Sequence, residues 1–258
     1  MMDDFDARQA LETFLRNRRA GTFFPKEWEG SLLLEEAYAV QLALVQHHAL
    51  EGRRQIGWKV GLTAWPIQEQ FSVHEPGFGF LLDDGLYSSG DAIPHDSLIG
   101  PGIENELCVT MGADLAGPGA TRADAEAAIS TVAPAFELVE TRGDFTGHLE
   151  MVVPDNLQQK GVILGTPIRL RDAPDLDTVR LTVRINGKIV DIATGDAVLG
   201  HPVNSVIWLA NRLVEHGKSL AAGDLVMTGS FTRQYSIAQG DTVRSEFAGV
   251  GAVEASFP

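Results

Sequence analysis

The sequence predicts an α+β protein, with a helical N-terminal region over residues 1–55 and a β-rich body over residues 56–258. Three observations carry that expectation. Apolar residues recur at helical spacing ahead of Gly52. Short apolar runs divided by glycine and proline begin at Gly57. An alternating run from Val179 is folded back on itself at Asn186-Gly187.

In chain order, Phe5, Ala10, Leu11, Phe14 and Leu15 form the apolar stripe of a helix from about Phe5 to Arg19. A second helix carries Leu34, Ala37, Tyr38, Leu42 and Val45, with Ser31 as its N-cap and Gly52 as its stop. Gly57-Trp58-Lys59-Val60-Gly61 reads as a short strand and Asp83-Asp84-Gly85 as a turn. Thr121, with Asp124 in capping-box spacing, opens a helix through about Ser130. Val179–Ile185 and Lys188–Ala193 form a hairpin, because Asn-Gly supplies the two positive-φ positions of a type I′ turn. Pro202 in a first turn and Gly217 past the end bracket a helix whose apolar face holds Val206, Leu209, Ala210 and Leu213. From Asp224 to Phe257 strands alternate with Gly229, Gly240-Asp241 and Gly249-Val250-Gly251.

Composition bounds the function. A hydrophobic content of 44% over 258 residues supports a substantial core. The net charge of -15, spread along the chain, argues against a nucleic-acid partner, which would be met by a basic patch. Cys108 is the only cysteine, so an intrachain disulfide and a Cys-rich zinc site are excluded. The N-terminus is acidic where a secretory leader is basic, and no apolar run approaches the length of about 20 residues that spans a bilayer. A cytoplasmic protein without a membrane partner is expected.

Glu104 and Glu106 lie one residue apart in a strand-like run, so their side chains share a face. Glu137 interrupts the apolar run Phe136-Glu137-Leu138-Val139. Close carboxylates repel unless a cation lies between them, and a buried one needs a partner. Three carboxylates without histidine or thiolate form a hard-oxygen set suited to Mg²⁺ or Mn²⁺. The spacing of Glu104 and Glu106 alone is equally compatible with the solvent face of an edge strand. Lys59, among glycines and apolar residues, has two readings, a lysine whose stem covers apolar surface while its head reaches water, or one that loses hydration and has a lowered pKa. Gly229-Ser230-Phe231-Thr232 follows a strand, where close backbone approach and the Ser230 and Thr232 hydroxyls suit a substrate carboxylate; a tight strand-end turn is the alternative. No histidine pair has zinc-site spacing, and Cys108, on the Glu104–Glu106 face, reads as a small buried residue.

Taken together, Gly57-Trp58-Lys59-Val60-Gly61-Leu62-Thr63, Ile103-Glu104-Asn105-Glu106, Pro134-Ala135-Phe136-Glu137-Leu138-Val139 with Arg142, Asp155-Asn156 and Gly229-Ser230-Phe231-Thr232-Arg233 occur in one order over nearly the whole chain. They resemble the 2-keto-4-pentenoate hydratase / 4-oxalocrotonate decarboxylase branch of the fumarylacetoacetate hydrolase superfamily. The resemblance implies a mixed β-roll in a homo-oligomer, with Mg²⁺ or Mn²⁺ held by Glu104, Glu106 and Glu137. It implies catalytic roles for Lys59 and for Asp84, the second aspartate of Leu81-Leu82-Asp83-Asp84, and substrate contacts from Leu62, Ser230 and Thr232. Glu140-Thr141-Arg142 departs from the family's usual Asp-Ser-Arg. Lys160 stands where a small residue is usual and is a candidate for binding a second substrate carboxylate.

The activity so implied is hydration of a 2-hydroxy-2,4-dienoate from aromatic-ring degradation to a 4-hydroxy-2-oxo acid. Decarboxylation of a 2-oxo-3-hexenedioate on the same site is the alternative. Carbon–carbon hydrolysis ranks lower, because His74-Glu75 does not sit in the motif of the hydrolytic relatives. A non-catalytic subunit ranks lower too, although a sister hydratase or decarboxylase is a conceivable partner.

Overall fold

Helix α1 (Ala7–Arg19) starts where the Asp6 carboxylate accepts the Arg8 backbone N–H at 2.9 Å, and it buries Ala10, Leu11 and Phe14. The structure is a computed structural model that describes residues 5–64, 68–69, 73, 75–143 and 148–258. His74 lies outside the described residues. Helix α2 (Leu34–Leu50) begins later than Ser31 predicts. Leu33 is its N-cap and donates its N–H to the Glu36 carboxylate at 2.9 Å, while the Ser31 hydroxyl donates to Trp28 O in the preceding turn. From the buried face of α2 the Gln41 amide donates to Phe78 O and Val153 O, both at 3.0 Å, which fixes the helix to the body.

The body is two sheets. Its strands are β1 (Gln55–Gly61), β2 (Gly77–Leu82), β3 (Leu86–Ser88), β4 (Pro101–Met111), β5 (Ile129–Glu140), β6 (Gln159–Leu164), β7 (Ile168–Arg169), β8 (Arg180–Ile185), β9 (Lys188–Thr194), β10 (Leu225–Ser230), β11 (Tyr235–Ser236), β12 (Thr242–Phe247) and β13 (Gly251–Ser256). Among the described residues the larger sheet runs β2-β1-β10-β4-β5-β6-β3, with β11 added to β4 and β7 to β5. It is mixed, since β1/β10 and β3/β6 are parallel and the other pairs antiparallel. The smaller sheet is β13-β12-β8-β9, and its β8–β9 hairpin turns at Asn186 (φ 52°) and Gly187 (φ 76°) as the Asn-Gly pair predicts. Helix α3 (Arg122–Ala128) is capped by Thr121 and Asp124 as expected, although it ends ahead of Ser130. A short helix α4 (Leu149–Val152) precedes β6. Helix α5 (Pro202–Leu213) runs into a final tight turn that stops at Gly217 (φ 66°).

Both faces of the larger sheet are covered, which is why β4 and β5 read as nearly unbroken apolar runs. Ile103, Leu107, Val109, Phe136 and Leu138 point into the main core, together with Trp58, Val60, Phe78 and Phe80. That core also takes in Ala10, Phe14 and Tyr38 from the N-terminal helices. The opposite face carries a small cluster of Leu81, Cys108, Ala135, Val162 and Met227. Strand register puts Glu104 beside Glu137, Glu106 beside Ala135 and Lys59 beside Met227. The acidic residues and Lys59 therefore share this second face. The two sheets are tied where the Ser245 hydroxyl donates to Asn105 Oδ1 at 2.6 Å, a fully buried bond.

Candidate metal and active site

Glu104 is half-buried, and Glu106 and Glu137 are 0% exposed. One carboxylate oxygen from each lies within 4.8 Å of the others. Lys59, 4% exposed, places Nζ at 3.0 Å from Glu137 Oε1 and donates to Leu157 O at 3.5 Å. Glu106 Oε2 accepts the Gly229 N–H at 2.7 Å, whereas Glu106 Oε1 and Glu137 Oε2 are buried without a hydrogen bond. Gly229 is required here. Its φ is +107°, and a Cβ would stand 2.3 Å from Thr63 Oγ1.

The charge balance is uneven, with three carboxylates around one ammonium. Burial is the first cause that lifts all three carboxyl groups above the usual range. Glu106, raised furthest, is also repelled by Glu137 and Glu104, and Glu137 is pushed up to about 7. For Lys59 the lowered-pKa reading reverses. Burial alone would lower its pKa, but the facing Glu137, Glu104 and Glu106 raise it, so the group is held as an ammonium. Orphaned carboxylate oxygens that converge at this spacing fit a hard divalent cation, which would satisfy them and relieve their repulsion.

Lys59 and Glu104 open onto a cavity of about 270 Å³ whose lining also includes Leu62, Gln158, Ser230 and Thr232. Leu62 sits at φ 58°, in the left-handed region. The two hydroxyls are held from behind by Asn105. Its N–H donates to Ser230 Oγ at 3.1 Å, and its side-chain Nδ2 donates to Thr232 Oγ1 at 3.0 Å. Asn105 and Gln158 were given no role from the sequence, and Thr63 entered only as the end of the Gly57–Thr63 motif. Asn105 alternates away from Glu104 and Glu106, and only the tertiary fold shows that it supports their cavity.

Asp155-Asn156 builds the wall behind the site. Asn156 pairs with Phe80 as a strand would, through Oδ1 at 2.8 Å and Nδ2 at 2.9 Å. Asp155 is clamped by Arg142 and Arg18, and Arg142 also bonds Glu140 at 2.8 Å. The Glu140-Thr141-Arg142 departure thus falls on a buried ion network.

Two expected site residues lie elsewhere. Asp84 is exposed in the turn after β2, beyond the strand residues that alternate onto the acidic face, and Arg53 lies 3.5 Å away. Lys160 is displaced by a bulge. Gly161 pairs with Leu138 and Gln159 with the next residue, Val139, so Lys160 is the extra residue of β6. Both line a second cavity of about 200 Å³ between α1, α2 and the body. The structure also gathers Asp175, Asp177 and His201, which sequence spacing did not suggest. His201 Nδ1 accepts the Val203 N–H and its Nε2 faces Asp175 at 3.0 Å, which makes it the cap of α5.

Residues 39–257 match the family described as fumarylacetoacetate (FAA) hydrolase C-terminal, and the chain belongs to that family. It is 36% identical over 223 residues to a 4-oxalocrotonate decarboxylase of Pseudomonas putida, covering 86% of this chain and 84% of the relative. It is 37% identical over 234 residues to a 2-oxo-hept-4-ene-1,7-dioate hydratase of Escherichia coli, covering 88% and 87%. Its fold matches that of the 4-oxalocrotonate decarboxylase from Pseudomonas putida G7, complexed with magnesium and adipate, at a TM-score of 0.93 and 32% identity over 98% of this chain and 99% of that one. The α+β architecture is therefore that of the FAA hydrolases. No helix among the described residues is long and apolar enough to cross a membrane.

Proposed function

We propose that the protein is a hydratase dependent on Mg²⁺ or Mn²⁺ that converts a 2-hydroxy-2,4-dienoate to a 4-hydroxy-2-oxo acid. The observation that carries this reading is the convergence of Glu104, Glu106 and Glu137, short of counter-charge, beside a cavity lined by Glu104, the Lys59 ammonium and two hydroxyls. A divalent cation held by the three glutamates would supply neutralisation of the substrate carboxylate and of negative charge on its 2-oxygen.

Lys59 holds a proton at Nζ inside the cavity and is the residue assigned to protonate the terminal carbon of the dienol, while the 2-hydroxyl gives up its proton to restore the Lys59 ammonium, leaving an unsaturated 2-oxo acid. Water then adds at C4, conjugate to the ketone, and C3 takes up a proton. Ser230 and Thr232, positioned by Asn105, orient the substrate, and Leu62 packs against its chain. Asp84 and Lys160 have no part in this scheme.

Decarboxylation is the second reading, favoured by the 4-oxalocrotonate decarboxylase relatives. Incubation of the Mn²⁺-loaded protein with 2-hydroxypenta-2,4-dienoate and, separately, with 2-oxo-3-hexenedioate tests the choice. Formation of a 4-hydroxy-2-oxo acid is expected; CO₂ release without that product would reject hydration. A cytoplasmic homo-oligomer, with or without a sister enzyme, completes the proposal. Support for self-association comes from edge strand β9, which exposes Ile189, Val190 and Ile192. Light scattering after gel filtration would read its size.

A further inference from the structure

Asn156, Leu157 and Gln158 form a run of three consecutive non-glycine residues in the left-handed region, with φ of 56°, 50° and 61°. Left-handed residues ordinarily occur singly, and leucine and glutamine have no local hydrogen bond that favours the conformation. The run is fixed on both sides, by the Asn156–Phe80 pairing and by the Leu157 O that accepts from Lys59. Its last residue lines the acidic cavity. Gln158 is 6% exposed, yet its Nε2 is buried with no hydrogen-bond partner. A buried primary amide without a partner destabilises the ligand-free protein, so one held in place by a strained backbone beside an active site points to a group that arrives with the substrate.

We propose that Gln158 is a substrate-binding residue, whose carboxamide hydrogen-bonds an oxygen of the bound 2-oxo acid and is delivered by the left-handed Asn156–Gln158 run. This deepens the hydratase reading and rests on it. Gln158 lines the cavity, and its Nε2 is a donor that an oxygen of the bound acid would satisfy. The ligand it selects carries an acceptor oxygen, as an anionic 2-oxo or 2-hydroxy acid does, because an NH₂ group can only donate. The position reads as ordinary in sequence, since a glutamine after Leu157 carries no motif.

The test uses 2-oxopentanoate, a saturated acid that cannot be hydrated, titrated calorimetrically into the full-length Mn²⁺-loaded protein. Gln158→Met keeps the length and loses the amide, and Gln158→Asn retracts the amide by one methylene while tolerating positive φ. Both variants are expected to bind Mn²⁺ as the unsubstituted protein does. Both should bind 2-oxopentanoate roughly 10- to 100-fold more weakly, the range for a hydrogen bond to a charged oxygen. Gln158→Met should melt no lower than the unsubstituted protein without ligand, because it removes an unsatisfied amide. Equal 2-oxopentanoate affinity in a folded, Mn²⁺-binding variant would overturn the role of Gln158. Failure of the unsubstituted protein to bind 2-oxopentanoate would instead overturn the 2-oxo-acid reading itself, and the role of Gln158 with it.

Discussion

Glu106→Gln separates the charge of the acidic centre from its shape. The amide oxygen can still accept the Gly229 N–H that Glu106 Oε2 accepts at 2.7 Å, so the strand geometry is retained. Like charges within 4.8 Å of each other repel by about 3.5 kcal/mol at an effective dielectric constant of ~20, and Glu106 faces two such neighbours, Glu104 and Glu137. Protonation and the Lys59 ammonium already relieve most of that repulsion, which leaves roughly 1–2 kcal/mol to be gained by neutralising Glu106. The metal-free variant should therefore melt about 2–8 °C higher than the unsubstituted protein. A divalent cation loses one of three charged ligands, so Mn²⁺ affinity should fall at least ~100-fold, equivalent to about 3 kcal/mol. Thermal melts with and without Mn²⁺, calorimetric titration of Mn²⁺ and turnover of 2-hydroxypenta-2,4-dienoate measure the three quantities. Unchanged Mn²⁺ affinity with unchanged turnover would refute the metal assignment, and a markedly lower metal-free melting point would refute the repulsion argument.

Lys59→Met acts with the opposite sign: it strands the Glu137 carboxylate and should destabilise the metal-free protein by roughly 3–5 kcal/mol in denaturant titrations, an effect offset by added Mn²⁺. Gly229→Ala forces a Cβ to 2.3 Å from Thr63 Oγ1 and should lose roughly 2–4 kcal/mol together with activity; a normal melt would contradict the close approach. Asp84→Asn and Lys160→Ala, both in the second cavity, should leave turnover within about three-fold, whereas a large loss would place that cavity in the reaction. His48 is lowered from 6.5 to about 4, first by burial and then by Arg53. The unfolded chain takes up this proton at higher pH than the folded one, so stability is full above pH 6.5 and falls as pH drops toward 4. The loss should reach roughly 1–2 kcal/mol after allowance for solvent at a ring still 11% exposed, and His48→Gln should flatten that part of the denaturation-midpoint profile.

The acidic cluster was legible because strand alternation is a short-range rule: Glu104 and Glu106 had to share a face, and Glu137 had to be buried in its apolar run. Asn186-Gly187 and Thr121-Asp124 were legible for the same reason, since turn and cap chemistry is local. Ser31 misled because a hydroxyl ahead of an apolar run looks like a cap, while the Glu36 carboxylate already satisfied the Leu33 N–H. Lys160 misled through a bulge, which shifts a side chain off its face without any trace in composition. The lowered-pKa reading of Lys59 had the wrong sign because desolvation is visible in its apolar neighbours, whereas the carboxylates that outweigh it come from β4 and β5, far along the chain. Gln158 was invisible for want of any local signal: its importance lies in a backbone conformation and in a missing partner.

Cys108 sits in the middle of β4, 1% exposed and sealed by Leu81, Ala135 and Met227, with its thiol pKa pushed up by burial and by Glu106. As the lone sulfhydryl of the chain, it is inert toward alkylating reagents for as long as the central strands stay joined. Its labelling rate under native conditions is consequently a clock for the rupture of the sheet around the acidic centre, read without any introduced probe.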